Sequence, residues 1–204
     1  MVKTCRILVM MSIVSTLLVG VAHADIIFEL KNDPQPDEQN ILFEKDQVGS
    51  LVMGFTNKTN TEVDFFSQLN TLQVTANGQA QITNFNGGNL NDIMVTAPGF
   101  TFKDFIVDLN QANDAVIDIT VIASDGIFPF EFTGKNGSNF VTIIAKNGET
   151  ISSILYESDA GWKVFKQPRI SGLEPVGVPE PSSLVLLGTG VLGMAGAVRR
   201  RLRT

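Results

Sequence analysis

Residues 116–133 read VIDITVIASDGIFPFEFT, and this stretch decides the fold of the chain. Apolar and polar side chains largely alternate along residues 117–122 and again along residues 128–133, which places alternate side chains on opposite faces of an extended strand. Asp125-Gly126 lies between the two runs, and Asp-Gly tolerates the positive φ that tight hairpin turns require. The stretch therefore predicts a β-hairpin with one apolar face.

Short alternating runs separated by turn dipeptides continue through most of the chain. Four further dipeptides give this turn signal: Asn77-Gly78, Gly87-Gly88, Asn136-Gly137 and Asn147-Gly148. No part of residues 25–173 keeps a helical apolar period over a helix-length window. The pattern predicts an all-β ectodomain over residues 25–173, an antiparallel β-sandwich of roughly 8 to 12 strands that is jelly-roll-like rather than a barrel.

Two irregularities are expected within these strands. The parity of the apolar residues changes between Phe102 and Phe105, which predicts a β-bulge near Lys103-Asp104. Further along, a turn at residues 158–161 is expected to separate the last two strands.

The N-terminus has the organisation of a secretion signal. Two basic residues precede the apolar run 7–21. Ala22 and Ala24 supply the small side chains of a signal-peptidase site, at which cleavage is expected after Ala24. Residues 1–24 are therefore expected to form a signal-peptide helix that is removed by signal peptidase after export.

Charge and composition exclude several classes of function. The chain has 15 Lys+Arg against 21 Asp+Glu, a net charge of −6, and removal of Lys3 and Arg6 leaves 13 against 21, or −8. Such acidity disfavours nucleic acid as a partner. Cys5 and His23 are the single cysteine and histidine, and both lie in the predicted signal peptide. Nucleophilic catalysis by a Ser-His-Asp or Cys-His arrangement is thereby excluded from the mature chain, and the protein is expected not to be an enzyme.

The C-terminal part, residues 174–204, has a different pattern from the ectodomain. A Pro/Gly linker leads to the tetrapeptide at residues 178–181, in which prolines favour an extended, exposed backbone. Residues 184–198 are uncharged and apolar, which predicts a transmembrane helix. The basic tail, residues 199–204, then acts as a stop on the cytoplasmic side, and its cluster is Arg199, Arg200 and Arg201.

This C-terminal arrangement resembles the PEP-CTERM sorting signal of Gram-negative bacteria. The resemblance covers the motif Pro179-Glu180-Pro181, the apolar helix and the arginine cluster in the order typical of that signal. It implies an exosortase as partner, transient anchoring in the inner membrane, cleavage near the motif, and delivery to the cell surface or extracellular matrix. Loss of the helix and tail would leave 9 Lys+Arg against 21 Asp+Glu, or −12.

An oxygen-rich segment between two predicted strands is the densest cluster of metal-ligand side chains. Calcium takes about six to eight oxygen ligands, and Asp108, Asn110, Asn113 and Asp114 are the candidates. Their spacing departs from the EF-hand loop because Ala112 occupies the third ligand position. The alternative is a turn in which Asn and Asp side chains bond to their own backbone.

The predicted last strand offers two further candidates. Trp162, the single tryptophan, would stack on a sugar ring if exposed and would close the sandwich core if buried. Lys163, Lys166 and Arg169 form a basic strip, which suits either contact with acidic polysaccharide or the charged protection of an edge strand.

Three functions are weighed on these observations. The first is a non-enzymatic surface or matrix protein associated with exopolysaccharide. The second is a carbohydrate-binding β-sandwich module with structural calcium. The third is a hydrolase that uses a pair of carboxylates, although no two acidic residues stand out in the sequence for that role.

Overall fold

The computed structural model describes residues 25–110 and 112–177. The predicted signal-peptide helix, residues 1–24, the sorting motif, residues 178–181, and the transmembrane helix, residues 184–198, lie outside the described residues. The described chain is all-β. Two compact units divide the chain, Met1–Glu174 and Pro175–Thr204. Within residues 25–110 and 112–177, no helix has the length and apolar character needed to cross a membrane.

Sixteen strands occupy the described residues, and several of them are only two or three residues long. In chain order they are β1 Asp25–Glu29, β2 Gln39–Phe43, β3 Val48–Gly49, β4 Leu51–Thr56, β5 Glu62–Phe66, β6 Leu72–Val74, β7 Gln81–Asn84, β8 Leu90–Thr96, β9 Phe100–Thr101, β10 Asp104–Asn110, β11 Val116–Ala123, β12 Gly126–Thr133, β13 Phe140–Lys146, β14 Ile151–Trp162, β15 Val164–Ser171 and β16 Glu174–Pro175.

The strands pair in an antiparallel path that folds into two layers. The path runs β1-β13-β10-β15-β2-β4-β5-β8-β14-β11-β12. The first layer contains β1, β13, β10 and β15, and β7, β6 and β3 extend it from β15. The second layer contains, in order of pairing, β2, β4, β5, β8, β14, β11 and β12. This arrangement confirms the predicted antiparallel β-sandwich.

Aromatic side chains hold the two layers together. Phe165 of the first layer lies 5.7 Å from Phe65 and 5.7 Å from Tyr156, which both belong to the second layer. All three side chains are fully buried. Each edge-to-face pair of this kind stabilises the fold by roughly 0.5–1.5 kcal/mol beyond the contribution of apolar burial. This cluster therefore fixes how the layers face each other.

The hairpin predicted from residues 116–133 forms strands β11 and β12. Its turn is centred on Ser124 and Asp125, since Ala123 pairs with Gly126. On β12, the Phe130 ring stacks on Phe28 of β1 at 5.2 Å. Because β1 and β12 are the two ends of the strand path, this contact closes the open side of the sandwich.

The predicted β-bulge near Lys103-Asp104 is wrong. The chain instead leaves β9 after Thr101, makes a single bridge from Phe102 to Ile151 and bends at Lys103 before β10 begins. This break between two strands explains the change of parity, since it lets side chains on both sides of the bend enter the core.

The predicted turn at residues 158–161 is also absent. Strand β14 continues to Trp162, and its pairing with β8 shifts from Glu157 opposite Asp92 to Trp162 opposite Leu90. Residues 158–161 therefore bulge out of a continuous strand. Gly161 has a φ of 70° there, a left-handed conformation that glycine adopts without steric cost.

Candidate functional site

The predicted calcium ligands have different surroundings in the structure. Asp108 of β10 is buried, and its carboxylate accepts a hydrogen bond from the Asn139 backbone N–H at 2.9 Å and forms an ion pair with Lys166 at 3.3 Å. Asn113 and Asp114 follow β10 in a turn with φ values of 23° and 59°. The carboxylate of Asp108 is thus already used within the protein.

The described residues contain no group of three or more His, Cys, Asp or Glu side chains that could hold a metal ion. Asn110 ends β10 and is half-buried. The calcium site stays a prediction, and Asp108 is its weakest member because a bound cation would have to replace Lys166.

Trp162 belongs to the hydrophobic core. Its side chain has 0% exposure, and it clusters with other buried apolar residues of both layers. An indole with no accessible face cannot stack on a sugar ring. Of the two alternatives for Trp162, contact with carbohydrate is therefore wrong and closure of the core is confirmed.

The basic strip is not on an edge strand. Strand β15 pairs with β10 on one side and with β2 and β7 on the other. Lys166 is paired with Asp108, and Arg169 forms an ion pair with Glu38 at 2.8 Å. Lys163 lies exposed in the bend before β15. Two of the three charges therefore stabilise the domain internally, which corrects both sequence-based interpretations of the strip.

The outer face of the second layer carries a line of carboxylates, named here the acidic row. It crosses β8, β14, β11 and β12 through the directly opposed pairs Asp92–Glu157, Glu157–Asp118 and Asp118–Glu131. Like charges directly opposite each other in a sheet are destabilising. Asp92 is buried and accepts hydrogen bonds from the Ser67 hydroxyl and two backbone N–H groups, whereas the other three side chains are exposed.

A cleft of about 520 Å³ lies beside the acidic row. The bulge at residues 158–161 forms one wall, and it is held by Asn91, whose side-chain amide donates to the backbone carbonyls of Ser158 and Asp159 at 3.0 and 3.1 Å. Asp114, Asp118 and Glu157 also line the cleft. This concentration of negative charge repels anionic ligands and attracts cationic ones.

A second buried carboxyl group of β10, Asp104, lies on the outer face of the first layer. The residue is 1% exposed, and among the described residues neither of its carboxylate oxygens has a hydrogen-bond partner. Burial raises the pKa of Asp104 from 3.8 to about 8, with smaller contributions from Glu38 and Asp33 in the same direction and from Arg169 and Lys146 in the opposite direction. Asp104 is therefore mainly protonated at neutral pH.

The segment between β1 and β2 covers Asp104. The Thr142 hydroxyl of β13 donates to the Lys31 carbonyl at 2.7 Å and accepts from the Asp33 backbone N–H at 3.3 Å, which fastens this segment to the sheet. A pocket of about 240 Å³ lies between it and β10, lined among others by Gln35 and Asp104. The cover explains the high pKa, because it removes the carboxyl group from water.

Sequence reasoning missed the acidic row because the row depends on strand register. Asp118 and Glu131 alternate with apolar residues, as in any half-buried strand. Their opposition follows only when the hairpin turn is centred on Ser124 and Asp125, whereas the sequence favoured Asp125-Gly126. The neighbour Glu157 comes from a strand that is distant in the chain, and no local signal sets that pairing.

Comparison with solved structures yields remote similarities. One is to a mutant of CBM29-2, a family 29 carbohydrate-binding module, at 14% identity and a TM-score of 0.21, covering 78% of this chain and 99% of that chain. Another family 29 module, at 15% identity and a TM-score of 0.21, covers 74% of this chain and 87% of that chain. Similarity at this level assigns no ligand to the present chain.

Comparison with protein families addresses the C-terminal part of the chain. No curated protein sequence matches the chain significantly. The family model for the PEP-CTERM protein-sorting motif matches residues 177–201. The matched stretch contains Pro179-Glu180-Pro181, the apolar run and the arginine cluster quoted above. The chain therefore carries a PEP-CTERM protein-sorting motif.

Proposed function

We propose that the chain is an exported, non-enzymatic protein of the cell surface or extracellular matrix, associated with exopolysaccharide. An exosortase recognises Pro179-Glu180-Pro181, cleaves the chain nearby and releases the ectodomain from the inner membrane of a Gram-negative bacterium. The observation that carries this proposal is the sorting motif at residues 177–201. A β-sandwich precedes it in the chain, which gives the signal a folded cargo.

The composition of the ectodomain supports a role without catalysis. The single histidine and the single cysteine both fall in the predicted signal peptide, which removes histidine as a general base and cysteine as a nucleophile from the mature chain. The acidic row also suits an extracellular location, since its negative charge keeps the domain soluble and away from anionic lipid headgroups.

The carbohydrate-binding alternative needs a surface other than Trp162. The indole is buried, so a sugar would have to be recognised mainly through hydrogen bonds. A pocket at strand β15 offers such groups.

Intact mass spectrometry of the protein from the producing organism tests the proposal. We expect the extracellular species to begin at Asp25 and to end near residues 178–183. A Glu180→Gln variant should keep its C-terminus and remain in the inner-membrane fraction. Glu157→Gln is the matched control, because it makes the same change on the exposed ectodomain surface and should be processed normally. A wild-type protein that ends at Thr204 and occurs only in the inner membrane would contradict the proposal.

A further inference from the structure

Strand β15 changes partners in the middle of its length. It pairs with β7 through Phe165 and Lys166 and with β2 through Arg169 and Ile170. The two residues between these pairs belong to neither ladder. The sheet is thus open on one side at Gln167, between the ends of β2 and β7.

The backbone at this opening is strained. Gln167 has a φ of 52°, and the left-handed conformation costs a non-glycine residue roughly 1–2 kcal/mol. The register with β10 also shifts here, between Ile106 and Asp108. Strain of this kind persists only where the surrounding structure enforces it, and it is concentrated at functional positions.

A pocket of about 220 Å³ lies at this opening, and we name it the amide pocket. Its lining side chains are all polar, four carboxamides and one guanidinium: Asn32, Asn40, Gln79, Gln167 and Arg169. Within residues 25–110 and 112–177, no protein group forms a hydrogen bond with the side-chain amides of Asn40, Gln79 or Gln167, whereas Asn32 accepts one from Arg169. Each carboxamide offers two donors and an acceptor oxygen.

The guanidinium of Arg169 is held in place from behind. It forms an ion pair with Glu38 at 2.8 Å, with side-chain exposures of 15% and 10%, and donates to the Asn32 side-chain oxygen. The hydrogen bond to Asn32 uses one of the five N–H donors of an arginine. Glu38 offsets the positive charge, so the group presents donors to the pocket without an unbalanced charge.

We propose that the amide pocket binds a single sugar unit of extracellular polysaccharide through its hydroxyl groups. A sugar hydroxyl both donates and accepts, as a carboxamide does, so the two sets of groups are complementary. No lining residue is acidic, which leaves a divalent cation without its preferred charged ligand. A pocket of about 220 Å³ suits one sugar ring and is too small for a longer oligosaccharide. This inference rests on the proposed extracellular location and adds a ligand class and a site to it.

Saturation-transfer NMR on the full chain, in a detergent without sugar groups, provides the test. Glucose, galactose and mannose are titrated separately to about 10 mM, since a Kd of 1 mM corresponds to roughly −4 kcal/mol. We expect at least one of these sugars to receive saturation from the protein, with a signal that levels off as the sugar concentration rises. Gln79→Ala should weaken binding about 5- to 10-fold, as expected for one lost hydrogen bond. Gln73→Ala, which removes an amide on β6 outside the pocket, should leave binding unchanged.

Gln167→Gly separates a binding role from a structural one. Glycine accepts the positive φ, so this variant should unfold at the same or a higher urea concentration than the wild type while its sugar binding falls about 5- to 10-fold. Unchanged sugar binding in Gln167→Gly and Gln79→Ala would overturn the proposal. The absence of a saturation-transfer signal on all three sugars would also overturn it. Normal C-terminal processing alongside either result would leave the proposed function standing.

Discussion

Replacing Asp104 by asparagine should stabilise the ectodomain progressively as the pH rises. Burial raises the pKa of Asp104 from 3.8 to about 8 in the folded protein, whereas the unfolded chain titrates near the ordinary value of about 3.9. Below about pH 4 both states are protonated and no stability is lost. Between about pH 4 and 8 the folded state retains a proton that the unfolded state has released, so the free energy of unfolding falls with pH.

The size of the effect follows from the shift. A difference of about 4 pKa units at roughly 1.4 kcal/mol each corresponds to about 6 kcal/mol lost between pH 4 and 8. The asparagine side chain of the variant cannot ionise and has nearly the same shape as the protonated acid. The Asp104→Asn protein should therefore match the wild type near pH 4 and exceed its free energy of unfolding by several kcal/mol near pH 9.

Urea unfolding followed by the fluorescence of the single tryptophan measures this difference. The series uses the full chain at several values between about pH 4 and 9. Asp46→Asn is the control, since the Asp46 side chain is 76% exposed and the same substitution there should change nothing with pH. If the difference between Asp104→Asn and the wild type varies by less than about 1 kcal/mol over this range, the buried carboxyl group does not carry the assigned pKa.

Three further predictions concern the second layer. Asp118→Lys should stabilise the domain by roughly 0.2–1 kcal/mol for each opposed carboxylate, Glu131 and Glu157. This gain in stability should shrink in high salt, and a urea midpoint that is unchanged at low salt would contradict the prediction. Trp162→Ala should lower the free energy of unfolding by about 3–5 kcal/mol because it empties a fully buried site. Thermal unfolding followed by circular dichroism measures this loss, and a loss below about 1 kcal/mol would mean that the indole is not in the core. Gly161→Ala should lower the thermal midpoint, since a Cβ at this positive φ would clash with a backbone carbonyl of β8, and an unchanged midpoint would refute the strained bulge.

The fold could be predicted where the signal is local. The hairpin of β11 and β12 has both strands and its turn within residues 116–133, so alternation suffices to predict it, although the turn lies one residue before the Asp125-Gly126 dipeptide. The bend at Lys103 and the bulge at residues 158–161 could not be predicted in the same way. Each depends on how a strand fits neighbours from elsewhere in the chain, and the sequence shows only that alternation changes phase.

The surfaces were less predictable than the fold because they depend on burial and register. Asp104 resembles any polar residue near a strand end, and only the covering segment between β1 and β2 makes it a buried acid. Gln167 gives no sequence signal at all, since glutamine is rarely found at positive φ. The sorting motif is the opposite case, because an enzyme reads it as a linear signal and it requires no tertiary context.

The proline of the end strand bears on how copies of this protein coexist at high density. Strand β12 is the last in the path, and Pro129 lies within it, opposite Thr120 of β11. A proline has no N–H, so the outward edge of β12 lacks a complete set of donors for an incoming strand. Fibre formation by edge-to-edge strand addition is thereby hindered on this side. Copies of the domain at high concentration should therefore remain discrete particles and should not join into fibres through this edge.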